Sequence, residues 1–232
     1  MKTKDVLDVN ETLEAIVDGL DVNQNDVVLS VVGNGDQPLV LLERAARVIA
    51  IDNDPAALRL LNQRIKQLVD DEYFDFVGDQ PAISNHYFEA RAAYLQQERR
   101  LSTIRAKLDR LTIVSGDIFE FVKSNRSFNK VYLSNAITYN GYDEQVFHDR
   151  LETVAKSLPR EGLIYVADGC DVRWDREHVL EFERSLPSSL AIDFDLSWIA
   201  RIKDDHWQPN VYRKDLSLVN KLYKKLRFVI PM

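Results

Sequence analysis

Residues 27–55 read VVLSVVGNGDQPLVLLERAARVIAIDNDP, and this stretch decides the fold. It opens with a nearly continuous apolar run, Val27 to Val32, interrupted only by Ser30. A short run of this kind reads as a strand buried on both faces, the habit of parallel sheets. Gly33-Asn34-Gly35-Asp36 then predicts a sharp turn. Glycine takes positive φ without steric penalty and lets another molecule come close to the backbone. A helix is predicted from about Pro38 to Ala46, and a second strand, Val48 to Ile51, ends at Asp52. Asp54 is placed to cap the next helix, with Pro55 at its first position, where a missing N–H costs nothing. Leu58, Leu61, Ile65 and Leu68 follow at spacings of one helical face.

The same alternation extends outward. Upstream, Asn10 is a candidate cap for a helix carrying Leu13, Ile16, Val17 and Leu20. Downstream, Leu111–Ser115, Lys130–Ser134 and Gly162–Ala167 read as strands, with helical segments at Phe119–Lys123 and Glu144–Leu158 between them. Strands alternating with helices imply a parallel sheet with right-handed crossovers, a doubly wound α/β fold in one domain spanning residues 1–232. Residues 71–110 interrupt the alternation as a helical insertion between the second helix after the first strand and the third strand. Tyr73, Phe74, Phe76, Tyr87, Phe88 and Tyr94 make it rich in aromatics, as either a packing layer or a lid over the ligand-binding edge. Leu190–Ile202 alternates like a strand, and a basic helix is predicted over about Asp215–Leu226.

Composition narrows the classes. The 232 residues suit one well-buried core, with 45% apolar and 29% charged residues. A net charge of −7 argues against nucleic acid as a partner, because such affinity depends on neutralising phosphates with basic residues. Cys170 is the single cysteine, which excludes an internal disulfide and a cysteine-built zinc site. His86, His148, His178 and His206 are scattered without ligand spacing, so no metal is expected. The first twenty residues carry scattered charges and lack the apolar segment of a signal peptide. No run approaches the roughly 20 apolar residues of a membrane span. The expectation is a cytoplasmic protein. Its basic C-terminal segment, with Lys221, Lys224, Lys225 and Arg227, is either a solvated helix face or a peripheral membrane contact. Trp174, Trp198 and Trp207 are expected in the core or in pocket walls.

In doubly wound folds, ligands sit beyond the carboxyl ends of the strands where the strand order reverses. Gly33 and Gly35 fall there, with Ser30 on the strand before them, and Asp52 closes the second strand 19 residues after Gly33. An acid at that place accepts hydrogen bonds from ribose hydroxyls, a layout common to NAD-binding and S-adenosylmethionine (SAM)-binding folds. The dinucleotide fingerprint calls for a third glycine at position 38, so that a pyrophosphate meets the helix N-terminus. This chain has Pro38, which favours SAM, a ligand with no pyrophosphate. Asp117, after the third strand, is placed to receive an adenine amino group, or to cap the next helix, or both, while Ile118 packs on the ring. Asn53 sits beside Asp52, and Asn135 and Tyr139 follow the fourth strand, where the sulfonium would lie.

The segment from Val27 to Leu68, with its Gly33-x-Gly35-Asp36 turn and Asp52-Asn53-Asp54-Pro55 motif, resembles the SAM-dependent 3-amino-3-carboxypropyltransferases of betaine-lipid synthesis. These lie within the class I SAM-dependent methyltransferase-like superfamily. YFDFVGD at Tyr73–Asp79, Arg91, Tyr94 and the phrase VYLSNAITY extend the resemblance over about residues 25–140. It implies transfer of SAM's aminocarboxypropyl group to a small-molecule or lipid-headgroup acceptor, releasing methylthioadenosine. Nicotianamine-type synthases and cyclases forming azetidine carboxylate use the same donor chemistry. A small-molecule methyltransferase and a non-catalytic SAM-binding protein are the alternatives. An acceptor amine must be neutral to attack, so Tyr139, Tyr94 and Asp79 are candidates for holding or taking its proton.

Overall fold

The computed structural model describes residues 11–70, 85–97, 99–138, 141, 143–167, 185–204 and 207–215, with backbone alone for 85–88. Its elements in chain order are α1 (Leu13–Gly19), β1 (Val27–Val31), α2 (Asp36–Arg44), β2 (Arg47–Asp52) and α3 (Pro55–Val69). The insertion supplies α4 (Asn85–Leu95), α5 (Arg100–Ala106) and a short 3₁₀ turn. Then come β3 (Leu111–Ser115), α6 (Ile118–Ser124), β4 (Lys130–Tyr132), α7 (Glu144–Ser157), β5 (Leu163–Val166), β6 (Leu190–Ile192), α8 (Phe194–Lys203) and β7 (Asn210–Lys214).

The strands form one seven-stranded sheet in the order β3-β2-β1-β4-β5-β7-β6. β1 pairs in parallel with β2 and β4, β2 with β3, and β4 with β5. β7 runs antiparallel to both β5 and β6. The predicted doubly wound α/β architecture is thus present, with one reversed strand set into its far side. Val28, Leu29, Val48, Ala50, Val131 and Ile164 are fully buried, as strands covered on both faces require. Burying a side chain the size of Leu29 contributes roughly 1.5–3 kcal/mol.

Local signals account for most boundaries. Asp54 caps α3 by accepting the Ala56 N–H at 2.8 Å, with Pro55 first in the helix. Asp117 caps α6 and Asp143 caps α7 in the same manner. α1 begins at Leu13 with Thr12 at the cap position, and Asn10 lies outside the described residues.

The reading of Leu190–Ile202 as one strand is corrected. Only Leu190–Ile192 is strand; Asp193 then accepts the Leu196 N–H and starts α8. Phe194, Ser197, Ala200 and Arg201 share the buried face of that helix, so a coincidental alternation concealed helical spacing. Trp198, expected inside, is 57% exposed, whereas Trp207 packs against the core. Trp174 and the basic segment after Asp215 lie outside the described residues. Among the described residues no helix is long and apolar enough to cross a membrane.

The described part of the insertion lies along α2. Asp36, in the first turn of α2, accepts from both Nε and Nη2 of Arg91 on α4, and Arg64 of α3 lies 3.1 Å from the same carboxylate. All three are almost completely buried. Further along, the Tyr94 hydroxyl donates to Glu43 at 3.2 Å, and the Arg100 guanidinium sits 3.5 Å from the Tyr94 ring centroid. Lys107 donates to the Glu43 carbonyl at 2.6 Å. These bonds make α4 and α5 a layer packed on α2.

Candidate functional site

The order of the sheet reverses between β1 and β4, the place where open α/β sheets bind ligands. Register aligns the strand ends there. Val31 pairs with Ile51, Asp52 with Ser115, and Ser30 with Tyr132. A cleft of about 370 Å³ opens beyond these ends, within the range of small-molecule sites.

Of the residues expected to bind a cofactor, Gly33, Asp52, Asn53, Asp117, Ile118 and Asn135 all line this cleft. Two do not. Ser30 is fully buried within β1, and its hydroxyl donates to the Val31 carbonyl. Gly35, at φ +89°, faces α3 instead; a Cβ there would lie 3.1 Å from Leu61 Cα and 3.0 Å from Arg64 Cδ. Gly33, at φ +55°, keeps the turn open on the cleft side. The two glycines therefore differ in place, Gly33 on the cleft and Gly35 against α3.

Asp52 lines the cleft from the end of β2. It accepts the Asp54 N–H at 2.9 Å and draws the N–H groups of Val32 and Gly33. Burial outweighs these bonds and pushes its carboxyl up from the ordinary carboxylate value, with the nearby Asp54 charge adding to the rise. A ligand offering hydroxyl donors would supply the hydrogen bonds that water gives up there. Asp117 Oδ1 is occupied by the N–H groups of Phe119 and Glu120, at 2.7 and 3.0 Å. The expected cap is thus present, and the same residue lines the cleft. Ile51, Ile118 and Phe119 add an apolar surface suited to a planar ring.

The catalytic candidates fare differently. Tyr94 is not brought to the cleft: it is buried on the outer side of α2, bonded to Glu43. Burial and the Glu43 charge push its hydroxyl well above the usual tyrosine value, the opposite of what a base needs. Tyr139 and Asp79 lie outside the described residues. The described part of the insertion contributes no lining residue and is bonded to α2 instead.

Two further residues, one of them without any local signal in the sequence, line the cleft. Arg150 comes from α7 and donates to the Ile137 carbonyl at 2.7 Å and the Ala136 carbonyl at 3.3 Å. Its guanidinium lies 4.9 Å from the Phe119 ring centroid, so it ties the turn after β4 to the wall after β3. Ser134 lies in the turn after β4 with φ +51° and lines the cleft. Among the described residues no three His, Cys, Asp or Glu side chains gather as a metal site.

No family model matches this sequence, and a search among curated proteins gives no match. Solved structures do resemble it. The N-methyltransferase NodS from Bradyrhizobium japonicum WM9, in complex with S-adenosyl-L-homocysteine, superposes with a TM-score of 0.50 at 12% identity, covering 88% of this chain and 86% of that one. The [4+2]-cyclase SpnF superposes with a TM-score of 0.50 at 10% identity, covering 88% and 80%. At such identities the likeness is one of fold, and the chain has the Rossmann-like fold of class I SAM-dependent methyltransferases.

Proposed function

We propose that this protein is a SAM-dependent transferase that moves the 3-amino-3-carboxypropyl group of SAM to a nucleophile and releases methylthioadenosine. The observation that carries SAM is the convergence of Gly33, Asp52, Asp117, Ile118 and Asn135 on one cleft at the switch point. In this reading Asp52 holds the ribose hydroxyls, and Asp117 receives the adenine amino group. Ile118 and Phe119 pack on the ring, and Asn135 lies toward the sulfonium. The reversed β7 between β5 and β6 also departs from the six-strand dinucleotide-binding order. The choice of group rests on the resemblance of residues 25–140 to the aminocarboxypropyltransferases.

The sulfonium supplies an activated carbon and a neutral thioether leaving group. The protein's own part is positioning and exclusion of water. Arg150 holds the turn carrying Asn135, and the apolar wall excludes water from the ring. The acceptor would be a small molecule or a lipid headgroup, or SAM's own amine if a ring closes.

A second reading, methyl transfer releasing S-adenosylhomocysteine, is favoured by the superposition on NodS. One fold hosts many chemistries, so the products decide. Incubation with SAM and candidate amines, followed by chromatography of the nucleosides, is expected to yield methylthioadenosine. S-adenosylhomocysteine as the enzymatic product would replace the first reading with the second.

A further inference from the structure

Glu11 is a buried carboxylate that the binding reading does not use. It is 2% exposed, just ahead of α1, and the neighbouring Thr12 N–H donates to Asp204 at 2.8 Å. Its two oxygens accept from two hydroxyls, Oε2 from Tyr132 and Oε1 from Ser134. Tyr132 is fully buried, but Ser134 lines the cleft. Ser134 is also a non-glycine residue in the left-handed region, at φ +51°. Its carbonyl is held by the Ala167 N–H at 3.0 Å, and the adjacent Leu133 N–H donates to Tyr165 at 3.0 Å. Backbone of this kind persists only where the surroundings over-determine it, and it gathers at functional sites. Here it fixes one hydroxyl between a buried acid and the cleft.

We propose that Ser134 and Glu11 form a proton-accepting pair for the cleft, with Ser134 Oγ touching the acceptor's ammonium and Glu11 acting behind it as the positioning residue. This rests on the SAM-transferase reading. While Glu11 is ionised it takes the Ser134 hydroxyl hydrogen, which leaves the lone pairs of Oγ for a donor in the cleft. The acceptor ammonium passes a proton to Ser134 Oγ as the Ser134 hydroxyl proton passes to Glu11 Oε1. The freed nitrogen lone pair then forms the new carbon–nitrogen bond. The carbon–sulfur bond breaks, and its electron pair leaves on the sulfur as a neutral thioether.

The surroundings suit this task. Glu11 faces Tyr132 from β4, Ser134 from the turn after it, and Asp204 from the end of α8, with Tyr165 of β5 behind Tyr132 at 5.7 Å between ring centroids. Burial is the largest influence on Glu11 and raises it to about 7. The two hydroxyl bonds oppose the rise and the Asp204 charge adds to it. A base poised near neutrality both accepts and releases a proton.

Two readouts test the pair without turnover. In the free protein, the infrared difference between wild type and Glu11→Gln is expected to show a carboxylic-acid carbonyl band at about pH 6 that fades by about pH 8. Titration calorimetry then uses sinefungin, the SAM analogue with an amine in place of the methyl-bearing sulfonium, and neutral S-adenosylhomocysteine as control. Wild-type affinity for sinefungin is expected to rise roughly tenfold over that pH interval, with no matching rise for the control. Glu11→Gln is expected to abolish the rise and Ser134→Ala to reduce it, with both variants checked by thermal melting. Absence of the carbonyl band, or an unchanged rise in either variant, overturns the pair while leaving the SAM site standing. Failure of wild type to bind either nucleoside overturns the SAM reading and the pair with it.

Discussion

Replacing Asp52 with alanine tests the binding site at its most exposed assumption. The carboxylate sits half-buried at the end of β2, and the reading has it accept two ribose hydroxyls. A hydrogen bond to a charged group contributes about 1.5–3 kcal/mol. Water reaches this partly exposed cleft and replaces part of each bond, so the lower figure applies, about 3 kcal/mol for the two. At about 1.4 kcal/mol per tenfold, the dissociation constant for S-adenosylhomocysteine should rise about 100-fold. Asp52→Asn keeps the size and one acceptor oxygen but loses the charge, and a loss of roughly tenfold is expected. Alanine also removes the acceptor of the Asp54 N–H, so a stability loss of about 1–2 kcal/mol should accompany it. Titration calorimetry well below the melting temperature separates the two effects. An Asp52→Ala protein that melts normally and binds within about threefold of wild type would refute the ribose assignment.

Other outcomes follow from the same geometry. Glu11 has a folded value of about 7 against an ordinary 4.5, so its contribution to stability is complete below about pH 4.5 and is lost as pH rises through about 7. At 1.36 kcal/mol per pH unit the loss is roughly 3 kcal/mol, and Glu11→Gln should therefore melt progressively higher than wild type from pH 5 to 8; parallel curves would count against it. Asp36→Asn weakens the carboxylate that both Arg64 and Arg91 bond, and urea unfolding should show a loss of about 3–5 kcal/mol. Gly35→Ala should destabilise the protein, because its Cβ would meet Leu61 backbone at 3.1 Å, whereas Gly33→Ala, 3.2 Å from the Gln37 side chain, should weaken ligand binding more than folding. Comparing melting temperatures with affinities for the two glycine variants checks that division. Tyr94→Phe should leave ligand affinity unchanged, since its hydroxyl is spent on Glu43 outside the cleft.

The sequence by itself determined the half of the fold that nearest neighbours in the chain encode. The buried run before Gly33, the positive-φ turn, the strand ending at Asp52 and the Asp54-Pro55 helix start are all local, governed by backbone sterics and capping. Because strand ends of a parallel sheet gather at one edge, those local marks also located most of the cleft, including Asp117 and Asn135. What depended on distant pairing stayed hidden. Glu11 meets Ser134 across 123 positions, Arg91 meets Asp36 across 55, and Tyr94 is claimed by Glu43 across 51. Nothing in the spacing of either partner announces such a meeting. Leu190–Ile202 failed for a related reason: its alternation fits two periods equally, and only packing against β7 and the Asp193 cap selects the helix. Tertiary structure alone decided which polar side chains face the cleft and which are spent holding the layers together, because that choice is made by burial, and burial is a property of the assembled chain.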